Sequence, residues 1–188
     1  MRKLILASAS PRRRELLASA GFSFEIRTSD IAENEDPGGN PKAMVLENAL
    51  VKARAVSEKN PEALVLGADT TVALGDRVLN KPENLSAARE MLLALGGKTH
   101  TVFTGIALVC AETGLCETRV VACRVTFKPL DDETISHYFR ICNPLDKAGA
   151  YGIQEGGELI VESYEEPLSN IIGLPVELLS ARVQELLA

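Results

Sequence analysis

Imidazole and thiol ligands are scarce in this chain. Its 188 residues include two histidines, His100 and His137, and four cysteines, Cys110, Cys116, Cys123 and Cys142, with no C-x-x-C pair. A zinc site built on nitrogen and sulfur therefore has few candidate ligands. Three of the cysteines, Cys110, Cys116 and Cys123, fall in apolar strand-like segments, where a reduced, buried thiol acting as a small hydrophobe is expected. An excess of positive charge is also missing: 20 Lys and Arg face 26 Asp and Glu, a net charge of −6. Such a molecule repels a polyanion as a whole and must bind phosphates locally, so a nucleic-acid polymer is not an expected partner. Long apolar runs are absent as well. The opening MRKLILASASPRRR has a short apolar stretch broken by serines and followed at once by arginines, which suits neither a signal peptide nor a spanning helix. A cytoplasmic protein with no membrane partner is the expectation.

What is present is the composition of a folded globular protein, with 46% hydrophobic and 24% charged residues and nine prolines. The length suits one domain spanning residues 1–188, with a core large enough to need no disulfide or metal staple. Leu4, Ile5 and Leu6 form a continuous apolar run, the mark of a strand covered on both faces, within Lys3 to Ser8. Ser10 followed by Pro11 is a helix start, a hydroxyl N-cap and then proline at the first helical position, and Gly21 ends that helix. A short strand is expected from Phe22 to Ile26, then a polar loop from Thr28 to Pro41 that carries Asp30, Glu33, Glu35 and Asp36. Leu46, Ala49, Leu50, Ala53 and Val56 repeat at helical spacing, with Lys52 at the margin of the stripe.

Leu64, Val65 and Leu66 read as a second buried strand running into Gly67, Ala68 and Asp69. Gly75-Asp76 suits a tight hairpin between flanking strands. Further helices are expected at Leu85–Leu95, 131–141 and 175–187, long β-rich stretches at 101–110 and 115–127, and a strand from Glu158 to Tyr164. Alternating helices and strands define an α/β class with a mixed sheet.

Three segments carry candidate chemistry. In LILASASPRRRELL, Arg12, Arg13 and Arg14 crowd the first turn of a helix. That end carries roughly half a positive charge, so cations there are unfavourable unless an anion is bound. Exposed N–H groups, the Ser8 and Ser10 hydroxyls and the guanidinium forks together make a polyphosphate cradle. Asp69 is read as lying at the carboxyl end of its strand, where ligands bind in open α/β sheets, which makes it a candidate base or metal ligand. Glu33, with Lys52 and Lys81 on separate elements, supplies the hard oxygens and cations that Mg²⁺-assisted phosphate chemistry requires. In PLDKAGAYGIQEGG, closely spaced glycines permit near approach of the backbone, and the Gln154 amide can both donate to and accept from a nucleobase edge. Gly96-Gly97-Lys98-Thr99 ends like a P-loop, but Leu92 stands where the earlier glycine is required, and the serine-hydrolase, zincin and dinucleotide motifs are missing.

Taken together, LILASASPRRRELL, VLGADTTVALGDRVLNKP, PLDKAGAYGIQ and IIGLP resemble the Maf family of nucleoside triphosphate pyrophosphatases across residues 3 to about 187. The resemblance implies an elongated mixed sheet with flanking helices, two lobes around a cleft like that of inosine triphosphate pyrophosphatases, a divalent cation (Mg²⁺, Mn²⁺ or Co²⁺) and a homodimer. It implies Asp69 as proton acceptor, and Ser8, Arg13, Glu33, Lys52 and Lys81 in the phosphate and metal site, with Glu33 and Asp69 holding the metal. Arg12, Thr70 and Gln154 match the subgroup acting on dTTP and UTP. The alternatives are hydrolysis of 7-methyl-GTP, and a nucleotide-binding regulator of septum formation with vestigial catalysis. Two departures from the family pattern stand out: Asn80 where glycine usually precedes Lys-Pro, and Glu47-Asn48 where Arg-Leu is common. Neither is expected to touch the catalytic residues.

Overall fold

The computed structural model describes residues 2–35 and 40–188. Asp36, grouped above with the acidic loop, lies outside the described residues. The chain opens with β1 (Leu4–Leu6), α1 (Pro11–Ser19) and β2 (Glu25–Ile26), followed by α2 (Pro41–Lys59), β3 (Leu64–Leu74) and β4 (Arg77–Leu79). Next come α3 (Leu85–Leu95), β5 (Thr99–Cys110), β6 (Leu115–Phe127) and α4 (Asp132–Ile141). Two 3₁₀ turns (Pro144–Asp146 and Ala148–Ala150) lead to α5 (Gly157–Ile160), β7 (Val161–Tyr164), α6 (Leu168–Ile172) and α7 (Val176–Leu187).

The strands form one mixed sheet in the order β2-β1-β3-β5-β6-β7, with β4 also paired to β3. β1 runs parallel to β3 over Leu64–Leu66, β4 runs antiparallel to it over Val72–Leu74, and β5 occupies the opposite edge from Val65 to Ala73. Residues 67–71 of β3 therefore have a sheet neighbour on one edge alone, because β1 has ended and β4 has not begun. The break in that edge is the floor of the cleft.

Alternation along β3 divides its environment in two. Leu64, Leu66, Ala68 and Val72 join the larger core with Leu17 of α1, Leu92 of α3, Tyr138 of α4 and Val183 of α7. Val65 joins a second core, beneath α2, with Ile5, Ala49, Ala53, Val56 and Val109. On this face two glycines admit the helix. A Cβ on Gly67 would come within 2.2 Å of the Ala49 carbonyl oxygen, and one on Gly105 within 2.3 Å of that of Val45. Gly105 is the register partner of Asp69, so α2 passes almost in backbone contact over the middle of β3.

The Ser10–Pro11 helix start is present: the Ser10 side chain accepts from the Arg13 N–H, and Asn40 before Pro41 starts α2 in the same way. The hairpin turn at Gly75-Asp76 also forms, with φ of +60° at the glycine. Several expectations are corrected. Asp69 sits in the middle of an eleven-residue strand and not at its end, because β5 and α2 hold residues 67–71 extended. The strand expected from Phe22 shrinks to Glu25–Ile26, and that expected from Glu158 begins at Val161, after the turn of helix α5. Cys116 is exposed, whereas Cys110, Cys123 and Cys142 are buried, all of them unbridged. Lys52 is 9% exposed, within the buried face of α2 and not at its margin.

Candidate active site

Where the β3 edge opens, a cavity of about 450 Å³ is lined by all nine of the residues singled out from the sequence: Ser8, Arg12, Arg13, Glu33, Lys52, Asp69, Thr70, Lys81 and Gln154. They come from α1 and the loop before it, the segment before α2, α2 itself, β3, the segment after β4, and the stretch after α4. Arg14 is exposed and does not line the cavity.

On the α2 side, Asp69 is 7% exposed. Its Oδ1 accepts from Lys52 Nζ at 2.9 Å and its Oδ2 from Asn48 Nδ2 at 2.9 Å. Lys52 Nζ also lies 2.9 Å from Glu33 Oε1, so one ammonium bridges carboxylates from two separate segments. Asn48 and Lys52 stand one turn apart on α2, which brings both side chains to the same face of β3. Asn48 is therefore a site residue that the sequence reading missed, and the expectation that this departure leaves Asp69 untouched is wrong. Its one sequence signal was a polar side chain adjoining Ala49 in an apolar stripe.

Thr70, the next residue of β3, faces the other way, toward α1. The Arg13 guanidinium donates to Thr70 Oγ1 at 3.0 Å, Ser8 Oγ at 3.1 Å and the Gly173 carbonyl at 2.9 Å. Thr70 is backed by its cross-strand partner Thr104 at 3.0 Å, whose hydroxyl donates to the Asn170 carbonyl. Burial lowers the Arg13 pKa, while Asp69 and Glu33 pull it back up and Arg12 adds to the lowering. The guanidinium stays charged at any working pH. Thr104 is a support that no motif announced, and the Gly173 carbonyl belongs to the IIGLP segment.

At the far wall, Arg12 Nη1 pairs with Asp146 Oδ2 at 3.0 Å, and Lys147 Nζ reaches Asp146 at 2.8 Å and Glu155 at 3.1 Å. Burial pushes the Asp146 carboxyl up, but the hydrogen bonds from Lys147 and Arg12 outweigh it and hold it below the usual value. Lys81 and Gln154 are exposed at the rim, and Lys81 makes no ion pair among the described residues. Asn80, beside it, donates to the Glu35 carbonyl at 2.9 Å.

The charges around the cavity balance. Five cations (Arg12, Arg13, Lys52, Lys81 and Lys147) face five carboxylates (Glu33, Glu35, Asp69, Asp146 and Glu155) among the described lining residues. A nucleoside triphosphate of about −4 would thus have to exchange carboxylate partners for its own oxygens and bring added cationic charge with it. The donor set fits a hard divalent cation. Glu33 and Asp69 already converge on one positive charge, and Thr71, on the Asp69 face of β3 and also lining the cavity, has a buried hydroxyl with no hydrogen-bond partner among the described residues. Among the described residues no group of three or more His, Cys, Asp or Glu is placed to hold a metal ion. Two carboxylates plus phosphate oxygens is the arrangement Mg²⁺ favours.

The fold is thus a mixed α/β sheet whose broken edge opens onto a cavity where a buried carboxylate lies among cations and further carboxylates. The Maf-like protein family model matches residues 3–186, and the chain belongs to that family. A dTTP/UTP pyrophosphatase of Moorella thermoacetica is 49% identical over 188 residues, covering 100% of this chain and 95% of that protein. A protein of the same description from Bacillus anthracis is 43% identical over 185 residues, 98% of this chain and 96% of the other. Among solved structures, the Ham1 protein of Staphylococcus aureus shares the fold with a TM-score of 0.53, 14% identity and coverage of 98% and 99%.

Proposed function

We infer that this chain is a nucleoside triphosphate pyrophosphatase that hydrolyses dTTP and UTP to the monophosphate and pyrophosphate. The observation that carries the reading is the Asp69 carboxylate, buried in mid-strand with one donor on each oxygen, opening onto the cavity that Arg12, Arg13 and Lys81 line. Full-length relatives described as dTTP/UTP pyrophosphatases support it.

In this reading water attacks the α-phosphorus, the bond from that phosphorus to the bridging oxygen breaks, and pyrophosphate leaves with the electron pair. Asp69 orients the water and takes its proton. Arg13, already held at three points, presents a fixed fork to the phosphates. Arg12 and Lys81 close on the outer phosphates as Arg12 releases Asp146. Lys52 bridges Asp69 and Glu33 and keeps them together. Glu33 and Asp69 would hold the divalent cation, which when bound lowers the pKa of water and offsets charge on the phosphates. Thr70 and Gln154 read the pyrimidine edge, and a site that satisfies such groups rejects bases that leave them unpaired.

A homodimer and a cytoplasmic setting complete the proposal, in keeping with the family resemblance. No described helix is long and apolar enough to cross a membrane. The test compares dTTP, UTP and 7-methyl-GTP under identical conditions with Mg²⁺, Mn²⁺ or Co²⁺, identifying products by chromatography. Monophosphate and pyrophosphate from the pyrimidine nucleotides are expected. Preference for 7-methyl-GTP moves the chain to the other subgroup, and tight nucleotide binding without hydrolysis makes it a regulator.

A further inference from the structure

The Asn48 side chain is 2% exposed and uses its amide in three directions. Its Oδ1 accepts from the Asn34 backbone N–H at 2.8 Å, and its Nδ2 donates to the Asn34 carbonyl at 2.9 Å and to Asp69 Oδ2 at 2.9 Å. One orientation of the amide satisfies all three contacts, because a flip would set its oxygen against two acceptors and its nitrogen against a donor. Asn34 directly follows Glu33, whose carboxylate meets Lys52. The next residue, Glu35, is held through its carbonyl by Asn80 at 2.9 Å, and the Asn80 carbonyl accepts from the Gly149 N–H at 3.3 Å. The two asparagines thus grip consecutive residues of the segment that carries Glu33.

We propose that Asn48 is a positioning residue that fixes Asp69 directly and Glu33 through the Asn34 backbone, holding the two carboxylates at the spacing a divalent cation requires, with Asn80 as a second anchor of the same segment. The proposal rests on the reading of Asp69 and Glu33 given above. In this chain Lys52 alone would set that spacing only loosely. An ammonium is a point charge on a flexible stem, and it would follow Glu33 wherever an exposed segment carried it. The Asn48 amide is planar, buried and bound on three sides.

The test is Asn48→Ala, which removes the amide's donors and acceptor without installing the leucine common in the family, read in three ways. Amide exchange of Asn34 in the metal-free protein should quicken at least tenfold. The Mn²⁺ concentration that half-saturates the protein without nucleotide, followed by the paramagnetic resonance of free Mn²⁺, should rise about tenfold, and kcat for dTTP should fall roughly 10- to 100-fold with KM within about threefold. Unchanged Asn34 exchange overturns the grip. Faster exchange with unaltered Mn²⁺ affinity and kcat overturns the positioning role, as does a rise in KM alone. Should Asn48→Ala fail to fold, Asn80→Ala, which frees the Glu35 carbonyl, must give the same changes in smaller degree, and wild-type behaviour there sinks the proposal. Exchange and Mn²⁺ binding remain readable even if the wild-type protein hydrolyses no nucleotide, so failure of the function and failure of the positioning role are told apart.

Discussion

The two faces of β3 differ in kind although their key residues are neighbours in sequence. Asp69 points toward α2, into a buried set where one ammonium and one amide serve two carboxylates. Thr70 points toward α1, where a guanidinium is held by two hydroxyls and a carbonyl, with no carboxylate among the described residues bonded to it. Strand alternation alone makes the separation. In the proposed function the α2 side moves a proton and holds a cation, and the α1 side grips an anion. Among the described residues, the one carboxylate contact of Arg12 and Arg13 is that of Arg12 with Asp146, at the exposed wall, where the pair can exchange for phosphate at small cost.

That contrast predicts a division between turnover and affinity. Asp69→Asn, on the α2 face, should lower kcat by about 10²- to 10⁴-fold while nucleotide affinity stays within a few-fold, as checked by steady-state rates and calorimetric titration. The variant should fold but lose roughly 1–3 kcal/mol, because its amide has one acceptor where Lys52 and Asn48 present two donors. Near-native turnover would remove Asp69 from the role of base and erase the distinction between the faces.

Arg13→Lys probes the other face with a smaller expected effect. A single ammonium cannot span Ser8, Thr70 and the Gly173 carbonyl, so the fork that meets the phosphates is lost. KM for dTTP should rise about 10- to 100-fold, the equivalent of a charged hydrogen bond, with kcat changed far less. If kcat fell as steeply as in Asp69→Asn with KM unaltered, both faces would belong to one catalytic unit.

Much of this was legible in the sequence, and the failures have physical causes. The Ser10–Pro11 helix start, the buried β1 and the Gly75-Asp76 hairpin are local signals that tertiary structure did not override. Of the nine residues that line the cavity, Arg12, Arg13, Glu33 and Asp69 stood out because cations at a helix start and isolated carboxylates need a partner, whereas Thr70 came from the family resemblance. The mid-strand place of Asp69 was hidden because Gly67 and Asp69 are strand breakers by propensity. In the fold the glycine makes room for α2, and the aspartate is satisfied by that same helix. Asn48 was hidden for a related reason: its partners lie 14 and 21 residues away, at Asn34 and Asp69, and no periodicity reports them. Likewise α5 displaced the start of β7, with Gly156 in the left-handed region at φ of +70° before it.

The smallest effect on turnover is expected at His100, which sharpens the comparison by marking where the polar chemistry of the α1-side face stops being functional. Its Nε2 lies 2.8 Å from the Tyr151 hydroxyl, and its ring packs edge-on against Phe127 and Tyr151, with no charged group bonded to it. Burial lowers its pKa from 6.5 to about 4, so the imidazole is neutral in the folded protein at neutral pH. An unfolded chain binds the proton near pH 6.5 and the folded one near 4, so the unfolded state carries more protons between those values and stability must rise with pH across the window. The contribution is complete above about pH 6.5 and is lost on acidification toward 4, with a ceiling of about 3 kcal/mol. Denaturant melts from pH 4 to 8 should show this loss in the wild-type protein, and in His100→Gln, which cannot titrate, the slope in that window should shrink while kcat for dTTP at neutral pH stays near its original value. A full slope in the variant would assign the acid sensitivity to the carboxylates. A collapse of kcat without loss of fold would extend the working site past Tyr151, which already lines the cavity, into what is otherwise core.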